Sequence, residues 1–187
     1  DPESFSSDSY PPFMDFFQCL EKRFGKKPLR ILDVGCGNGL FINECLRRNH
    51  KVRGIEINKS MKSAMASEIV GLVTFTPIEE YQNFNDVFDV ITFWDSFEHF
   101  PKAFKILNQL KNALVSGGVV FIRVNNSHDV FNIMTRILLI TIPKLGYPML
   151  RTCFNLSQHS WNFSVGSMTK LMNKNHWQVE RYRITET

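Results

Sequence analysis

Apolar positions along this chain alternate between two spacings. Phe13, Phe16, Phe17, Leu20 and Phe24 recur at helical intervals behind Pro11 and Pro12, so Pro11–Phe24 reads as a helix opened by prolines. Leu29–Val34 (LRILDV) is a short β-favouring run. Leu40–Asn49 returns to helical spacing through Phe41, Cys45 and Leu46, with Arg47 and Arg48 near its end, where cations suit the helix dipole. The same reading predicts strands over Val52–Ile57 and Leu72–Phe75 and a helix over Lys59–Glu68. Phe88–Trp94 (FDVITFW) is uninterrupted and predicts a strand buried on both faces. Phe104–Leu114 follows as a helix, Gly117–Gly118 as a turn and Val119–Val124 as a fifth strand. This alternation predicts an α/β fold, a doubly wound and mostly parallel sheet with helices on both faces.

The pattern loosens after Val124. Asp129–Ile142 reads as a helix, Pro143–Ser160 as irregular, Val165–Asn173 as a helix and Trp177–Ile184 as a last strand. A connection as long as Asn125–Ser160 is usually functional, so it is expected to form a helical lid over a substrate. The expected organisation is a single domain: an N-terminal arm and helix (1–28), a ligand-binding core (29–124), the lid (125–160), and a last helix and strand (161–187). The chain begins without Met and stops just after an expected strand, as a piece of a longer protein would.

Composition narrows the class. With 187 residues, 43% hydrophobic and 21% charged, the chain is ordinary for a globular domain and can bury a core without metal or disulfide help. Cys19, Cys36, Cys45 and Cys153 form no C-x-x-C pair, so no zinc site and no disulfide framework is expected, and a reducing, cytoplasmic setting is the default. Asp1–Tyr10 is acidic and Ser-rich, unlike a signal peptide, and Ile137–Ile142 is far too short to span a bilayer. The net charge of +4 permits an anionic partner. The basic clusters Lys22–Arg30, Arg47–Arg53 and Arg181–Arg183 are short and interrupted, so a nucleic-acid track is not expected.

The candidate chemistry centres on Asp33-Val34-Gly35-Cys36-Gly37-Asn38-Gly39, between an expected strand and an expected helix. Glycines there let the backbone turn and approach a ligand. Glu56 stands 17 positions after Gly39, at the end of the second strand, where a carboxylate can accept hydrogen bonds from both hydroxyls of a ribose. Together they describe a nucleoside crevice. A dinucleotide fingerprint counted from Gly35 would need Gly at position 40, and Leu40 stands there.

The G-x-G-x-G spacing with an acid upstream resembles motif I of the class I S-adenosylmethionine-dependent methyltransferases. Phe88–Phe100 (FDVITFWDSFEHF) resembles motif IV of that superfamily, Gly117–Gly118 its "P-G-G", and Val124-Asn125 the "P-N" of its ubiquinone-biosynthesis-like subgroup. His159–Leu171 (HSWNFSVGSMTKL) is similar to a late stretch of the same subgroup. The resemblance implies a Rossmann-like fold and S-adenosyl-L-methionine as cofactor, with S-adenosyl-L-homocysteine as product. It implies that Gly35, Cys36, Gly37 and Gly39 line the methionine part, that Asp33 orders the loop and that Glu56 holds the ribose. Ile57 would pack on adenine. An acid usually follows the third strand, but Pro77 stands there, which leaves adenine to the Ile78 backbone and apolar contacts, with Glu79 the nearest acid. The backbone around Phe93, Trp94 and Asp95 would face the cofactor's amino-acid end, and Phe97 its far side.

Asp95, Glu98 and His99 form D-x-x-E-H beside this crevice. His99 could act as a general base with Asp95, the trio could hold a divalent metal as in some relatives, or Glu98 and His99 could simply brace the loop. His128, His159 and Trp161 fall in the segment expected to cover the acceptor. Trp94-Asp95-Ser96-Phe97 departs from the (D/N)-P-P-(Y/F) of amino-group methyltransferases, and no cysteine has the context of a cytosine-methylating nucleophile. The resemblance therefore implies methyl transfer to a small or medium-sized organic acceptor, at oxygen. An RNA methyltransferase and a non-catalytic cofactor-binding module stay open as alternatives.

Overall fold

The structure is a computed structural model, and it describes residues 10–81, 87–125, 137, 140–142, 144 and 160–183. The chain divides into two compact units, residues 1–94 with 109–122 and residues 95–108 with 123–187.

The first unit is built on a sheet. Its strands are β1 (Arg30–Val34), β2 (Lys51–Ile55), β3 (Val73–Thr74), β4 (Phe88–Trp94) and β5 (Leu114–Arg123, its last residue in the second unit), in the order β3-β2-β1-β4-β5. β1 pairs in parallel with β2 and β4, and β2 with β3. β4 is buried nearly throughout, as its unbroken apolar run predicts. Because these strands run the same way, Val34, Ile55 and Trp94 finish at one edge, where ligands bind in doubly wound sheets.

Helix α1 (Pro11–Phe24) has prolines in its first turn and Lys22 and Arg23 in its last, and buries Phe13, Phe16, Phe17 and Leu20. Helix α2 (Leu40–Arg47) ends two residues before the predicted Asn49, because Asn49 takes a left-handed backbone (φ 64°). At the opposite edge of the sheet, the Leu29 N–H donates to His50 Nδ1 (3.1 Å) and the Lys51 N–H to the Leu29 carbonyl (2.8 Å). The His50 ring lies nearly parallel to Phe17, 5.5 Å away.

Three predicted elements differ. The helix expected over Lys59–Glu68 is a 3-10 turn, Lys59–Ala64, followed by the short helix α3 (Ser67–Val70). None of Lys59–Ala64 is fully buried and only Met61 packs partly on the core, too little apolar contact to support a longer α-helix there. Gly117–Gly118 lies inside β5 rather than before it. A Cβ on Gly118 would stand 3.0 Å from the Val115 carbonyl and 3.1 Å from that of Asp89, so a close backbone approach explains that glycine. No strand forms over residues 177–183, where Trp177 follows a turn at His176 (φ 58°), and Ile184 lies outside the described residues.

Helix α4 (Ala103–Lys111) begins in the second unit and ends in the first. Helix α5 (Val165–Lys174) belongs to the second unit and is opened by a capping box between Ser164 and Ser167. In the expected lid, Ile137, Ile140, Thr141 and Lys144 are helical and Ile142 is irregular; the other residues of 126–159 lie outside the described residues, including His128, Cys153 and His159. Among the described residues no helix is long and apolar enough to cross a membrane.

Candidate functional site

The register of β1 places Asp33 between Gly54 of β2 and Thr92 of β4. Asp33 is 1% exposed, and the Thr92 hydroxyl donates to its Oδ1 at 2.8 Å. Burial pushes this carboxyl up to about 7, against the Thr92 hydrogen bond and with help from the negative charge of Glu56. The side chain stays inside the sheet, beneath the loop it precedes.

That loop is tied to β2. The Gly35 and Cys36 N–H groups both donate to the Ile55 carbonyl (2.8 and 3.2 Å), and the Gly37 N–H donates to Glu56 Oε2 (2.8 Å). The other carboxylate oxygen of Glu56 accepts the Asn58 N–H at 2.8 Å. Glu56 is 8% exposed and held by backbone on both sides. A carboxylate offers about four lone-pair sites, so one remains on each oxygen for further donors.

The glycines of the loop have different reasons. Gly37 has φ 55° and open space where a Cβ would sit, which leaves room for a ligand over the loop. Gly39 caps α2 with φ 83°, and a Cβ there would meet Ile69 Cγ2 at 2.8 Å, so packing on the protein itself demands glycine. Cys36 is buried, and burial, with the negative charges of Asp33 and Glu56, pushes its thiol well up, which disfavours the thiolate. Its sulfur occupies space that a Cβ on Gly54 would enter at 2.8 Å.

Ile57 is 67% exposed directly after Glu56, an apolar surface beside the carboxylate. Pro77 opens the 3-10 turn Ile78–Glu80, and the Ile78 side chain is buried, leaving only its backbone to offer a ligand. Trp94 ends β4 within an aromatic cluster, its ring 4.7 Å from Phe13, 5.0 Å from Phe41 and 4.6 Å from Phe121. Tyr10 packs on Phe13 at 4.8 Å. The Trp94 indole N–H is buried and has no hydrogen-bond partner among the described residues.

The residues after Trp94 belong to the second unit. Asp95 holds a left-handed backbone (φ 48°), donates its N–H to the Arg123 carbonyl at 3.0 Å and pairs its carboxylate with the Arg123 guanidinium. A 3-10 turn follows over Phe97–His99, with Phe97 and Glu98 buried and His99 exposed. Burial, with the negative charge of Asp95 nearby, raises the pKa of the Glu98 carboxyl against the pull of backbone N–H groups at Glu98 and Asn125. Among the described residues no group of three His, Cys, Asp or Glu is arranged to hold a metal ion.

Sequence reading missed Thr92, Asn58 and Arg123. Asn58 lies two residues from Glu56 and was open to notice. Thr92 and Arg123 carried no signal, because their partners depend on which strands become neighbours.

A model of the family described as a methyltransferase domain matches residues 12–182. The chain is 31% identical over 117 residues to a ubiquinone biosynthesis O-methyltransferase of Aeromonas salmonicida, covering 55% of this chain and 44% of that protein. It is 30% identical over 128 residues to the protein of that name from Alkalilimnicola ehrlichii, covering 64% of this chain and 51% of that one. It thus spans about half the length of these relatives. Among solved structures, magnesium protoporphyrin IX methyltransferase from Synechocystis, with bound SAH, superposes with a TM-score of 0.67 at 12% identity, over 95% of this chain and 77% of that one. The plantazolicin methyltransferase BpumL, in complex with SAH, superposes with a TM-score of 0.64 at 17% identity, over 90% and 65%. These likenesses establish the Rossmann-like fold, and the match over residues 12–182 establishes that the chain belongs to the methyltransferase domain family.

Proposed function

We propose that this protein binds S-adenosyl-L-methionine over the glycine loop and methylates a small or medium-sized organic acceptor at oxygen. The observation that carries the reading is the Glu56 carboxylate, fixed by the Gly37 and Asn58 N–H groups with acceptor capacity to spare. That suits the two hydroxyls of a ribose. The open space over Gly37 and the exposed Ile57 fit the rest of such a ligand.

S-adenosyl-L-methionine supplies an electrophilic methyl group on a sulfonium, and the protein's task is to align and dry the site. Asp33 fixes the strand end beneath the loop, Glu56 would hold the ribose hydroxyls, Ile57 would pack on adenine, and the Ile78 backbone would serve where Pro77 leaves no acid. Trp94, at the end of β4, would border the cofactor's amino-acid end. His99, exposed on the turn after β4, takes the proton of an acceptor hydroxyl, with Asp95 holding the backbone of that turn against Arg123. Oxygen is favoured as the acceptor atom because the relatives from Aeromonas and Alkalilimnicola are named O-methyltransferases.

A small acceptor is favoured over RNA by the state of the cations. Arg30 pairs with Asp89, Arg47 and Arg48 with Glu44, and Arg23 reaches the Gly117 carbonyl. Calorimetry with S-adenosyl-L-homocysteine and transfer of a labelled methyl group to a catechol panel test the proposal. Absence of cofactor binding would refute it, and transfer to RNA but to no small phenol would move the acceptor class.

A further inference from the structure

The turn after β4 is held from outside by two residues far along the chain. The Ser160 and Trp161 N–H groups both donate to the Glu98 carbonyl (2.9 and 3.1 Å), and the Ser160 hydroxyl donates to the His99 carbonyl (3.2 Å). The Trp161 indole N–H donates to the Phe100 carbonyl (2.8 Å). Three successive carbonyls are thereby satisfied by two neighbouring residues. The Trp161 ring stacks on Phe163 at 6.1 Å, and Phe163 packs on Phe97 at 5.7 Å. Rings on the Trp161 side thus continue to the first residue of the turn.

Burial does not account for Trp161, which is 37% exposed while Phe97 and Phe163 are buried. A tryptophan wanted only for its apolar area would be placed deeper, and the hydrogen bonds are what distinguish this one. At the start of the same turn, Asp95 is fixed to Arg123 through both backbone and side chain. A left-handed aspartate costs free energy and persists only where its surroundings enforce it. The backbone on either side of the exposed His99 is therefore determined by contacts outside the turn.

We infer that Trp161 is a positioning residue: through its indole N–H and backbone N–H it sets the backbone of Glu98–Phe100 and so the place from which His99 is presented. The inference rests on the proposed role of His99, but its test does not need the acceptor. In Trp161→Phe the ring remains and the indole donor is gone. Amide exchange at His99 and Phe100, whose N–H groups bond within the turn, should quicken about tenfold. The ring resonances of His99 in histidine-labelled protein should shift, while α5 and β4 amides keep their rates and affinity for S-adenosyl-L-homocysteine stays within about twofold. Ser160→Ala, a milder change, should move the same two amides less.

Unchanged exchange and unchanged His99 resonances in both variants would overturn the inference. Equal quickening throughout α5 would overturn it too, since Trp161 would then be a packing residue of the whole unit. Failure of the unsubstituted protein to bind S-adenosyl-L-homocysteine would instead refute the cofactor reading, and the resonance measurement would still decide the role of Trp161.

Discussion

The Thr92 hydroxyl donates to the buried carboxyl of Asp33, at Oδ1, across the β1–β4 pair, 59 residues apart in the chain. It lies directly beneath the loop that begins at Gly35. Burial raises the pKa of Asp33 to about 7, so between about pH 4 and 7 the folded chain keeps a proton that the unfolded chain has released. Stability from this group is therefore present at low pH and lost as pH rises through that window.

Asp33→Asn should remove this dependence, making the urea midpoints at pH 5 and pH 8 closer to each other than in the unsubstituted protein. Thr92→Val leaves the carboxyl without its donor. It should cost about 1–3 kcal/mol at pH 8, and less at pH 5, where Asp33 is protonated. An equal loss at both pH values would show that Asp33 is not the group responsible.

Glu56→Ala should weaken binding of S-adenosyl-L-homocysteine by about 1–3 kcal/mol, the scale of a charge-assisted hydrogen-bonding partner. It also strips the Gly37 and Asn58 N–H groups of their acceptor, so a lower melting temperature should accompany it. Calorimetry and a thermal scan on the same sample separate the two effects. Undiminished affinity would remove Glu56 from the ribose.

Two glycine substitutions should behave oppositely. A Cβ on Gly37 has no described protein atom within 4 Å, so Gly37→Val should leave the chain folded, with a strained left-handed residue and cofactor affinity lost. Gly54→Ala places a Cβ 2.7 Å from Ile42 Cδ1 and 2.8 Å from Cys36 Sγ. It should destabilise the protein by about 1–3 kcal/mol, as overpacking does. Circular dichroism melts and cofactor titrations of both variants check the contrast.

His50 gives an acid-sensitive contribution at the other end of the sheet. Burial, with Arg48 nearby, lowers its pKa, and Glu21 opposes weakly, so the folded chain favours the neutral ring whose Nδ1 accepts from Leu29. Stability from this group is present above about pH 6.5 and lost as pH falls through the lowered folded value. His50→Ala should cost about 1 kcal/mol at pH 8 and show a shallower loss of melting temperature between pH 7 and 5. Parallel slopes would assign the acid sensitivity elsewhere.

The chain order of β1 to β5, the glycine loop and the acid just after β2 could be read directly from the residues. Their causes are local: the period of apolar positions, the φ freedom of glycine, and a carboxylate at a fixed distance along a strand–turn–helix unit. Tertiary structure alone decided that Thr92 meets Asp33, that His50 receives the Leu29 N–H and that Arg123 pairs with Asp95, because strand neighbours and register arise from packing between distant segments. The same holds for Trp161, whose indole finds the Phe100 carbonyl 61 residues back in the chain. It also explains the helix expected over Lys59–Glu68. Spacing suggested it, but within Lys59–Ala64 only Met61 packs, partly buried, on the core, and with so little burial the segment settles into a 3-10 turn.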